Sequence, residues 1–314
     1  MKRISEITYT YDKDLLQKAR TLLLNVKAQN HTYTENVLLD SFHSATIEGA
    51  RTTVEQVKQS LSNPKTKSDK MVVNNIKVFN HIYNGIKIND TNIRQLWEIL
   101  VHDCCENEQR AGTKYRNGMV YVGSATEIIH TPAKPDEIQD YMTDLFNWIY
   151  TDGNEDVIIK AIVAHIYFVY IHPFCDGNGR MARILTNSLL FQYGYNTVRY
   201  LNISASIRAY LSMYYKTITL SEHNNMNISP FIEYMLKVIV HACEERTKQQ
   251  YRLNDKEKIL ISKIKTDITV KKAAQMLKAS EAVARTYLNK LADKGLLIKS
   301  KVNGKSIYSK PVKF

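Results

Sequence analysis

Apolar residues recur every three to four positions along most of the chain, the spacing of helices that bury one face. Thr53, followed by Gln56 three positions later, predicts a capping box just after Gly49 has closed the preceding helix. The first 250 residues are therefore expected to be mainly α-helical. The pattern predicts ten helices there, at 13–28, 34–47, 53–61, 71–84, 91–103, 135–150, 155–171, 180–193, 204–220 and 229–248.

One short segment between two of these helices has the pattern of a sheet instead. Residues 119–122 alternate as a strand does, Gly123 and Ser124 can turn, and residues 127–130 can return as a second strand. A lone hairpin on a helical body has two interpretations. It either has a role of its own or merely links helices at the surface.

The pattern changes again after residue 251. Residues 255–265 predict a helix, and 269–277 and 280–294 predict two helices separated by a tight turn. Two short apolar strands then flank Asn303-Gly304, a hairpin signal. Helix, helix-turn-helix and hairpin in this order predict a winged helix-turn-helix domain over residues 251–314.

The composition of the 314 residues, 44% hydrophobic and 24% charged, is that of an ordinary globular protein. No apolar run approaches the ~18 residues that a membrane span needs, and no apolar run follows the early basic residues as in a secretory signal. A cytoplasmic protein without membrane contact is therefore expected. Four cysteines show neither CxxC nor metal-ligand spacing, which favours reduced thiols; they are Cys104, Cys105, Cys175 and Cys243.

The net charge of +12 is unevenly distributed. Residues 253–314 contain 15 Lys+Arg and 5 Asp+Glu, a balance of +10, which leaves only +2 for residues 1–252. Such asymmetry indicates two domains with different partners. A basic winged helix can dock a helix in the major groove of duplex DNA and its wing on phosphates, although such domains also bind proteins. The polar positions expected to face DNA are Arg285, Tyr287, Asn289, Lys299, Lys301 and Lys305.

The most informative stretch is Ile-His-Pro-Phe-Cys-Asp-Gly-Asn-Gly-Arg-Met-Ala-Arg at 171–183. Pro173 should end the apolar helix before it, and helical periodicity resumes at Arg180. Residues 172–179 are therefore expected to form a short loop that ends at a helix N-terminus. Unpaired backbone N–H groups and the helix dipole make such an N-terminus an anion site.

The side chains of this loop fit a polyphosphate. Gly177 and Gly179 would let phosphate approach the backbone. Arg180 and Arg183 share one face near the helix N-terminus, a place that suits cations only if an anion lies between them. Asp176 would repel that anion unless a divalent cation, expected to be Mg²⁺, bridged the two.

His172, at the start of the loop, can act as a general base near neutral pH. Each of these residues also has a purely structural alternative when taken singly. His172 could be a buried interface histidine, Asp176 a helix N-cap, and the glycines simple loop residues.

The segment HPFCDGNGRMAR resembles, at every defined position, the HPFx[D/E]GNGRxxR signature of the Fic family. The similarity extends to the helical body over roughly residues 30–250. It implies a Fic-type helical bundle with a short β-hairpin flap and does not extend to the basic C-terminal part. Together with the small winged helix domain that the pattern predicts there, the expected fold class is mainly α. The expected divisions are an N-terminal helical region at 1–110, a Fic catalytic core at 111–250 and the winged helix at 251–314.

The resemblance also implies an activity, the transfer of AMP from ATP to a Tyr, Ser or Thr hydroxyl of a target protein. Phe174 would anchor the loop in the core, and Cys175 would fill a variable position. The roles implied for the others are His172 as proton acceptor, Asp176 as Mg²⁺ ligand, Gly177, Asn178 and Gly179 as the lining of the anion pocket, and Arg180 and Arg183 as ligands of the β- and γ-phosphates.

A second motif lies in the N-terminal region. Ser44 and Glu48 are four positions apart on one helix face, and Gly49 suits the helix C-terminus. A carboxylate there opposes the helix dipole and favours a cationic partner, although a solvated glutamate is the ordinary alternative. SATIEG, at 44–49, resembles the [S/T]xxxE[G/N] inhibitory motif of Fic proteins, which implies that Glu48 pairs with Arg183 and blocks the γ-phosphate position.

The resemblance gives two further segments a role. The hairpin matches the position of the Fic flap, which aligns a target segment by strand pairing, and residues 112–116 resemble the usual lead-in to it. Tyr214 and Tyr215 fall where relatives often contact the nucleotide, although a core role is the alternative for both.

Two rival functions remain open from the sequence. One is a DNA-binding regulator whose Fic domain only senses nucleotide, although nucleotide sensing would not require His172. The other is transfer of UMP, phosphocholine or a bare phosphate, and the phosphate-transferring branch departs from the motif at the position of Gly179. The sequence also leaves a homodimer open.

Overall fold

In the computed structural model the chain divides into two compact units, Met1–Glu244 and Glu245–Phe314. Six residues quoted above for the flap and the wing lie outside the described residues: Gly112, Thr113, Lys114, Ser124, Glu127 and Asn303. The structure describes residues 1–26, 33–105, 115–123, 128–151, 153–251, 253–264, 267–294, 296–302 and 304–310.

The first unit is built from α-helices, as predicted. No helix in the described ranges is both long and apolar enough to cross a membrane. The helices are α1 (Lys13–Asn25), α2 (Tyr33–Ile47), α3 (Val54–Ser60), α4 (Lys67–Tyr83), α5 (Asp90–Val101), α6 (Ile138–Tyr150), α7 (Val157–Ile171), α8 (Asn178–Gln192), α9 (Ile203–Ala209), α10 (Leu211–His223) and α11 (Ser229–Tyr251). Two short 3-10 turns, Ile4–Glu6 and Asn196–Tyr200, add to them.

Local signals placed several helix boundaries correctly. The Thr53 hydroxyl accepts from the Gln56 N–H at 3.2 Å, and the Gln56 side chain accepts from the Thr53 N–H at 2.9 Å, which completes the predicted capping box. Gly49, with φ 84°, follows α2. The positive φ there suits glycine because it has no Cβ.

The single helix predicted at 204–220 is wrong, because the structure breaks it at Tyr210 into α9 and α10. Tyr210 has φ −124° and ψ 40°, outside the helical region. The Tyr234 hydroxyl lies 3.4 Å from the Ile207 carbonyl oxygen and 3.5 Å from that of Tyr210. Both carbonyl oxygens also accept backbone N–H groups, from Tyr210 and Met213 at 3.1 Å, so the break keeps its backbone hydrogen bonds and packs against a hydroxyl of α11. Helical periodicity could not reveal that contact.

The predicted hairpin is present in shifted form. Strand β1 (Val122–Gly123) pairs antiparallel with β2 (Ile128–His130), with Val122 opposite His130 and Gly123 opposite Ile128. The first strand does not cover the predicted 119–122, and Gly123 belongs to the strand rather than to the turn. Pairing with β2 therefore begins later than the alternation of side chains indicated.

Helices α7 and α8 form the centre of the first unit. Twelve of the fifteen residues in each of them are buried. A helix buried on all sides occupies the middle of a bundle. Both ends of the loop between them are therefore held by the core, and this loop carries the candidate site.

The second unit combines three helices with a small sheet. Helices α12 (Asp255–Lys263), α13 (Val270–Leu277) and α14 (Glu281–Asp293) surround a core that includes Leu260, Leu288 and Tyr308. Strands β3 (Ile268–Thr269), β4 (Ile298–Val302) and β5 (Lys305–Ser309) form an antiparallel sheet in the order β3-β5-β4. The strand β3 has no counterpart in the sequence prediction, because two residues are too few to show alternation.

Candidate active site

The loop between α7 and α8 leaves the helix at His172, which adopts left-handed backbone angles of φ 52° and ψ 59°. The buried Arg116 side chain holds this turn. Its Nε donates to the His172 carbonyl oxygen at 2.8 Å, and the Arg116 N–H donates to the Pro173 carbonyl oxygen at 2.9 Å. Burial lowers the pKa of Arg116. These contacts fix where the His172 side chain begins.

Phe174 anchors the loop in the core. It is fully buried and stacks on Trp97, with the ring centroids 4.5 Å apart. Asn178, in α8, hydrogen-bonds the backbone of the same residue. Its Nδ2 donates to the Phe174 carbonyl oxygen at 2.7 Å, and its Oδ1 accepts from the Phe174 N–H at 3.0 Å. The Asn178 side chain therefore braces the loop from within.

His172 and Asp176 contribute an imidazole and a carboxylate to the loop. The Nδ1 of His172 lies 3.3 Å from the Val169 carbonyl oxygen, which can only accept. This contact favours the tautomer with hydrogen on Nδ1, in which Nε2 is the nitrogen that takes up a proton. The Asp176 side chain is half-exposed, and its Oδ1 accepts from the Gly177 N–H at 2.5 Å.

Two glycines shape the N-terminus of α8. Gly177 has φ 79°, and a Cβ on it would lie 3.2 Å from Val101 Cγ1. A Cβ on Gly179 would lie only 2.3 Å from Oε1 of Glu48. The Glu48 carboxylate thus occupies the space over the first turn of α8, where the backbone N–H groups and the dipole favour an anion.

Arg183 holds that carboxylate from the other side. Its Nη2 donates to Glu48 Oε1 at 2.7 Å and to the Ser44 carbonyl oxygen at 3.0 Å, while Nε donates to Ser44 Oγ at 2.9 Å. The guanidinium is 1% exposed. Burial lowers the pKa of Arg183, but Glu48 together with Tyr214 and Tyr215 more than offsets this, so that the pKa is raised overall.

One nitrogen of Arg183 remains without a hydrogen-bond partner in the described part of the chain. This atom, Nη1, is buried. It lies 3.4 Å from the position that a Cβ of Gly179 would take. A buried donor of a charged group is rarely left unpaired, and this one lies near the first turn of α8 at Gly179.

Arg180, the first arginine of the motif, is also 1% exposed. Its Nη1 donates to the Leu100 carbonyl oxygen at 3.2 Å, and its Nη2 lies 3.9 Å from Asp176 Oδ1. Its Nε has no partner within the described residues. Arg180 therefore links the carboxylate of the loop to the end of α5.

The two tyrosines predicted to contact the nucleotide, Tyr214 and Tyr215, differ in how far they are buried. Tyr214 is 2% exposed and its hydroxyl lies 2.8 Å from His165 Nε2, whereas Tyr215 is 48% exposed. Burial raises the pKa of both. Sequence reasoning missed His165, which lies in the middle of the strongly apolar helix α7.

A second residue missed by the sequence is Asp40, one turn before Ser44 in α2. It is 4% exposed and accepts from the Ser204 N–H at 2.7 Å and from the Ser204 hydroxyl at 3.1 Å. Burial raises its pKa to about 6. The helix that carries Glu48 is thus tied to α9 as well as to α8.

Across the described ranges, no group of three or more His, Cys, Asp or Glu side chains is arranged to hold a metal ion. Asp176 therefore does not belong to a ready-made metal cluster among these residues. A hard cation such as Mg²⁺ is commonly bound by one or two carboxylates with phosphate oxygens and water as its other ligands. The donor chemistry of Asp176 fits this arrangement.

Known proteins resemble the chain in sequence. Over 235 residues it is 27% identical to "Protein adenylyltransferase Fic" of Drosophila willistoni, covering 72% of this chain and 43% of the relative. Over 221 residues it is 27% identical to the protein of the same name from Nematostella vectensis, covering 67% and 47%. The chain thus spans less than half the length of these curated relatives.

Solved structures share the fold. A Fic family protein from Desulfovibrio desulfuricans matches with a TM-score of 0.68 at 20% identity, over 96% of both chains. Fic-1 of C. elegans matches with a TM-score of 0.61 at 18% identity, over 76% of this chain and 72% of that one. The Fic/DOC family model matches residues 87–190, which include the loop and both arginines. Residues 87–190 of this chain are therefore similar to the Fic/DOC family.

Proposed function

We propose that the chain is a protein adenylyltransferase, which transfers AMP from ATP to a hydroxyl side chain of a target protein. One observation carries the proposal: the buried Nη1 of Arg183, which has no hydrogen-bond partner among the residues that the structure describes, lies near the N-terminal turn of α8 at Gly179. A guanidinium nitrogen in that position is suited to bind an anion with several oxygen acceptors, such as a phosphate. The names of the relatives from Drosophila and Nematostella agree with this activity.

ATP would bind with its phosphates on the N-terminus of α8. Gly177 and Gly179 leave the backbone accessible there, and Arg180 and Arg183 supply positive charge for the β- and γ-phosphates. Asn178 would act indirectly, because its side-chain amide makes its hydrogen bonds to the backbone of Phe174. The half-exposed Tyr215 would be the tyrosine that contacts the nucleotide.

Mg²⁺ fits at Asp176, whose half-exposed carboxylate stands at the edge of this phosphate site. When bound, the ion would offset the negative charge of the phosphates. Arg180, at 3.9 Å from Asp176 Oδ1, restrains the carboxylate on the side of the helix. The protein contributes a single acidic ligand, so the affinity for Mg²⁺ should depend on the nucleotide.

His172 would take the proton of the target hydroxyl through Nε2, the nitrogen left without hydrogen in the tautomer favoured by Val169. The hydroxyl oxygen then forms a bond to the α-phosphorus, the bond from the α-phosphorus to the bridging oxygen breaks, and pyrophosphate leaves. The left-handed turn at His172 and the two contacts from Arg116 keep the ring at the mouth of the site.

Glu48 would be a built-in brake on this reaction. Its carboxylate pairs with Arg183 and fills the space over Gly179. A terminal phosphate that needs the same guanidinium would have to displace it. ATP bound in the presence of Glu48 would therefore lie with its α-phosphate out of line for attack. Ser44 supports the brake by holding the Nε of the same arginine.

The test is transfer of label from ATP to protein. The full chain is incubated with Mg²⁺, a cell lysate and ATP labelled at either the α- or the γ-phosphate, and the modified peptides are identified by mass spectrometry. An adenylyltransferase transfers only the α-label and adds AMP. Transfer of the γ-label would indicate a kinase-like enzyme, and labelling with UTP alone a uridylyltransferase. No transfer from any nucleotide, together with tight ATP binding, would favour the nucleotide-sensing regulator.

We also propose that the second unit is a winged helix that binds duplex DNA. The order of helices α12 to α14 and the three-stranded sheet support this reading, as does the balance of +10 over residues 253–314. Arg285 and Lys290 are exposed on α14, and Lys301 on β4. Asn289 would not read bases, because its Oδ1 accepts from Lys299 Nζ at 3.0 Å and from the Tyr308 hydroxyl at 2.7 Å.

A further inference from the structure

The end of helix α5 supports Arg180. The Leu100 carbonyl oxygen accepts from Arg180 Nη1 at 3.2 Å. Leu100 lies in the last turn of α5, where carbonyl groups have no donor within the helix and carry the negative end of its dipole. The guanidinium is buried, so its charge needs such a partner. The position of Arg180 therefore depends on the end of α5 staying in place.

The chain turns sharply directly after α5. His102 has φ −51° and ψ 122°, outside the helical region, and Asp103 adopts a left-handed φ of 55°. The Cys104 N–H donates to the Val101 carbonyl oxygen at 3.0 Å across this turn. Helix ends fray unless other groups satisfy their last carbonyl oxygens. The turn after α5 therefore needs a donor from another part of the fold.

Asn74, in the middle of α4, supplies this donor. Its Nδ2 donates to the His102 carbonyl oxygen at 2.8 Å and lies 3.5 Å from the Leu100 carbonyl oxygen, the acceptor of Arg180. A carbonyl oxygen only accepts, so the amide presents its nitrogen to both. The Cys104 sulfur is also close to both side chains, 3.8 Å from Asn74 Nδ2 and 3.9 Å from Arg180 Nη1. The amide and the guanidinium therefore meet at the same buried helix end.

We propose that Asn74 is a positioning residue for Arg180: by holding the end of α5 it fixes the carbonyl group to which the guanidinium donates. Without the amide, the His102 carbonyl oxygen loses its donor in α4, and the last turn of α5 is free to move. Arg180 then no longer has one fixed orientation towards its anion. The inference rests on the proposed function in one respect, that Arg180 binds the β-phosphate of ATP.

The next residue in the chain offers a matched control. Asn75 also lies in α4 and is fully buried, but its Nδ2 donates to the Ser41 carbonyl oxygen on α2 at 3.3 Å. It therefore contacts the helix that carries Glu48 and makes no hydrogen bond to α5 among the described residues. Asn74→Leu and Asn75→Leu each remove one buried amide of the same size. A simple loss of packing would therefore appear in both variants.

The experiment measures nucleotide affinity by calorimetry, with Mg²⁺ and ATP, ADP or AMP, in the full chain carrying Glu48→Gly. In this background a change in the brake on α2 cannot alter the result. Asn74→Leu should weaken ATP and ADP binding about tenfold, the effect of losing one hydrogen bond to a charged group. AMP lacks the β-phosphate, so its affinity should change by no more than about twofold. Asn75→Leu should leave all three affinities within about twofold.

A second comparison goes through Arg180 itself. In Arg180→Ala the guanidinium is absent, so adding Asn74→Leu should cause no further loss of ATP binding. Unchanged ATP binding in Asn74→Leu would overturn the inference, as would an equal loss of ATP and AMP binding or an equal effect of Asn75→Leu. Asn74→Ser, which also lacks the amide, decides the matter if Asn74→Leu does not fold.

The inference and the proposed function can fail separately. Loss of ATP and ADP affinity alone, in a chain that transfers no AMP, would support the role of Asn74 and contradict the proposed function. Transfer of AMP by the parent, with unchanged ATP affinity in Asn74→Leu, would do the reverse.

Discussion

Glu48 Oε1 lies 2.7 Å from Arg183 Nη2, although the two residues are 135 positions apart in the chain. The arginine side chain is 1% exposed and the glutamate side chain 34%, so the arginine end of the pair is buried and the glutamate end is partly open to solvent. The same carboxylate stands over Gly179 at the N-terminus of α8. The Glu48 side chain thus pairs with Arg183 and also fills the space over Gly179, and a terminal phosphate would need both.

Replacing this glutamate should activate the chain. We expect Glu48→Gly to show strong self-labelling with ATP where the wild type labels weakly, because Arg183 becomes available to the γ-phosphate. Placing the α-phosphate in line for attack can be worth several kcal/mol, or at least about a hundredfold in rate. Autoradiography with α-labelled ATP under matched Mg²⁺ measures the difference.

Two variants control this experiment. Glu35→Gly, at the exposed start of the same helix, removes the same charge and should leave labelling unchanged. Arg183→Ala added to Glu48→Gly should erase the gain. Equal labelling by the wild type and Glu48→Gly would mean that Glu48 is no brake.

The general base is tested by His172→Ala. Loss of the proton acceptor should lower AMP transfer by a factor on the order of 10²–10⁴. ATP binding should persist, because the phosphate site at α8 is intact. Measurements in the Glu48→Gly background give the larger signal. His223→Ala, at an exposed histidine of α10, is the control and should transfer AMP normally. A His172→Ala variant as fast as its parent would remove His172 from the mechanism.

Gly179→Ala should have opposite effects in two backgrounds. In the wild type the new Cβ would stand 2.3 Å from Glu48 Oε1 and expel the carboxylate from its pair with Arg183. We expect a loss of about 1 kcal/mol in the free energy of unfolding. In Glu48→Gly the space is empty, and alanine in a helix should stabilise by up to about 1 kcal/mol.

Urea denaturation of the four proteins measures this coupling. Gly177→Ala serves as control, because its φ of 79° strains any side chain and should destabilise both backgrounds alike. If Gly179→Ala lowered the free energy of unfolding equally with and without Glu48, the contact between residue 179 and the Glu48 carboxylate would not contribute to stability.

Asp40 should make stability depend on pH. Its pKa is raised to about 6 by burial, above the 3.8 of an exposed aspartate. A carboxyl with a raised pKa contributes stability that is fully present below pH 4 and is lost as pH rises through 6. Relative to Asp40→Asn, the wild type should therefore lose on the order of 3 kcal/mol of unfolding free energy between pH 4 and 7.

Denaturant titrations of both proteins at several pH values test this difference. Burial lowers the pKa of His43 to about 4 and that of His165 to about 3, so these two residues change the unfolding free energy with pH in the opposite sense to Asp40. Both proteins contain them, so their contribution drops out of the difference. A constant difference between wild type and Asp40→Asn across this range would show that Asp40 has an ordinary pKa.

The basic unit should bind duplex DNA in a salt-dependent manner. We expect the full chain to shift a duplex at low salt, with affinity falling steeply as salt rises because counterions are released from phosphates. Arg285→Ala, on the exposed face of α14, should weaken binding, whereas Arg51→Ala, an exposed arginine of the first unit, should not. No shift at low salt would assign the second unit to protein interaction.

Much of this protein follows from local sequence. Most of the helices, the capping box at Thr53 and the stop at Pro173 depend on neighbours within a few positions, so the sequence alone places them, except that it joined the two helices on either side of Tyr210. The same holds for the loop after His172, because proline and glycine act on their own backbone. The order of residues in this loop also carries the family resemblance.

Tertiary structure decided what the polar side chains do. Tyr214 and Tyr215 are adjacent in sequence, yet packing buries one against His165 and leaves the other half-exposed. The break at Tyr210 likewise lies against a hydroxyl of α11, a contact between distant segments. Periodicity records which face of a helix is buried, but the groups that meet on that face come from distant segments, and only the packing of those segments brings Glu48, Arg183 and Gly179 together.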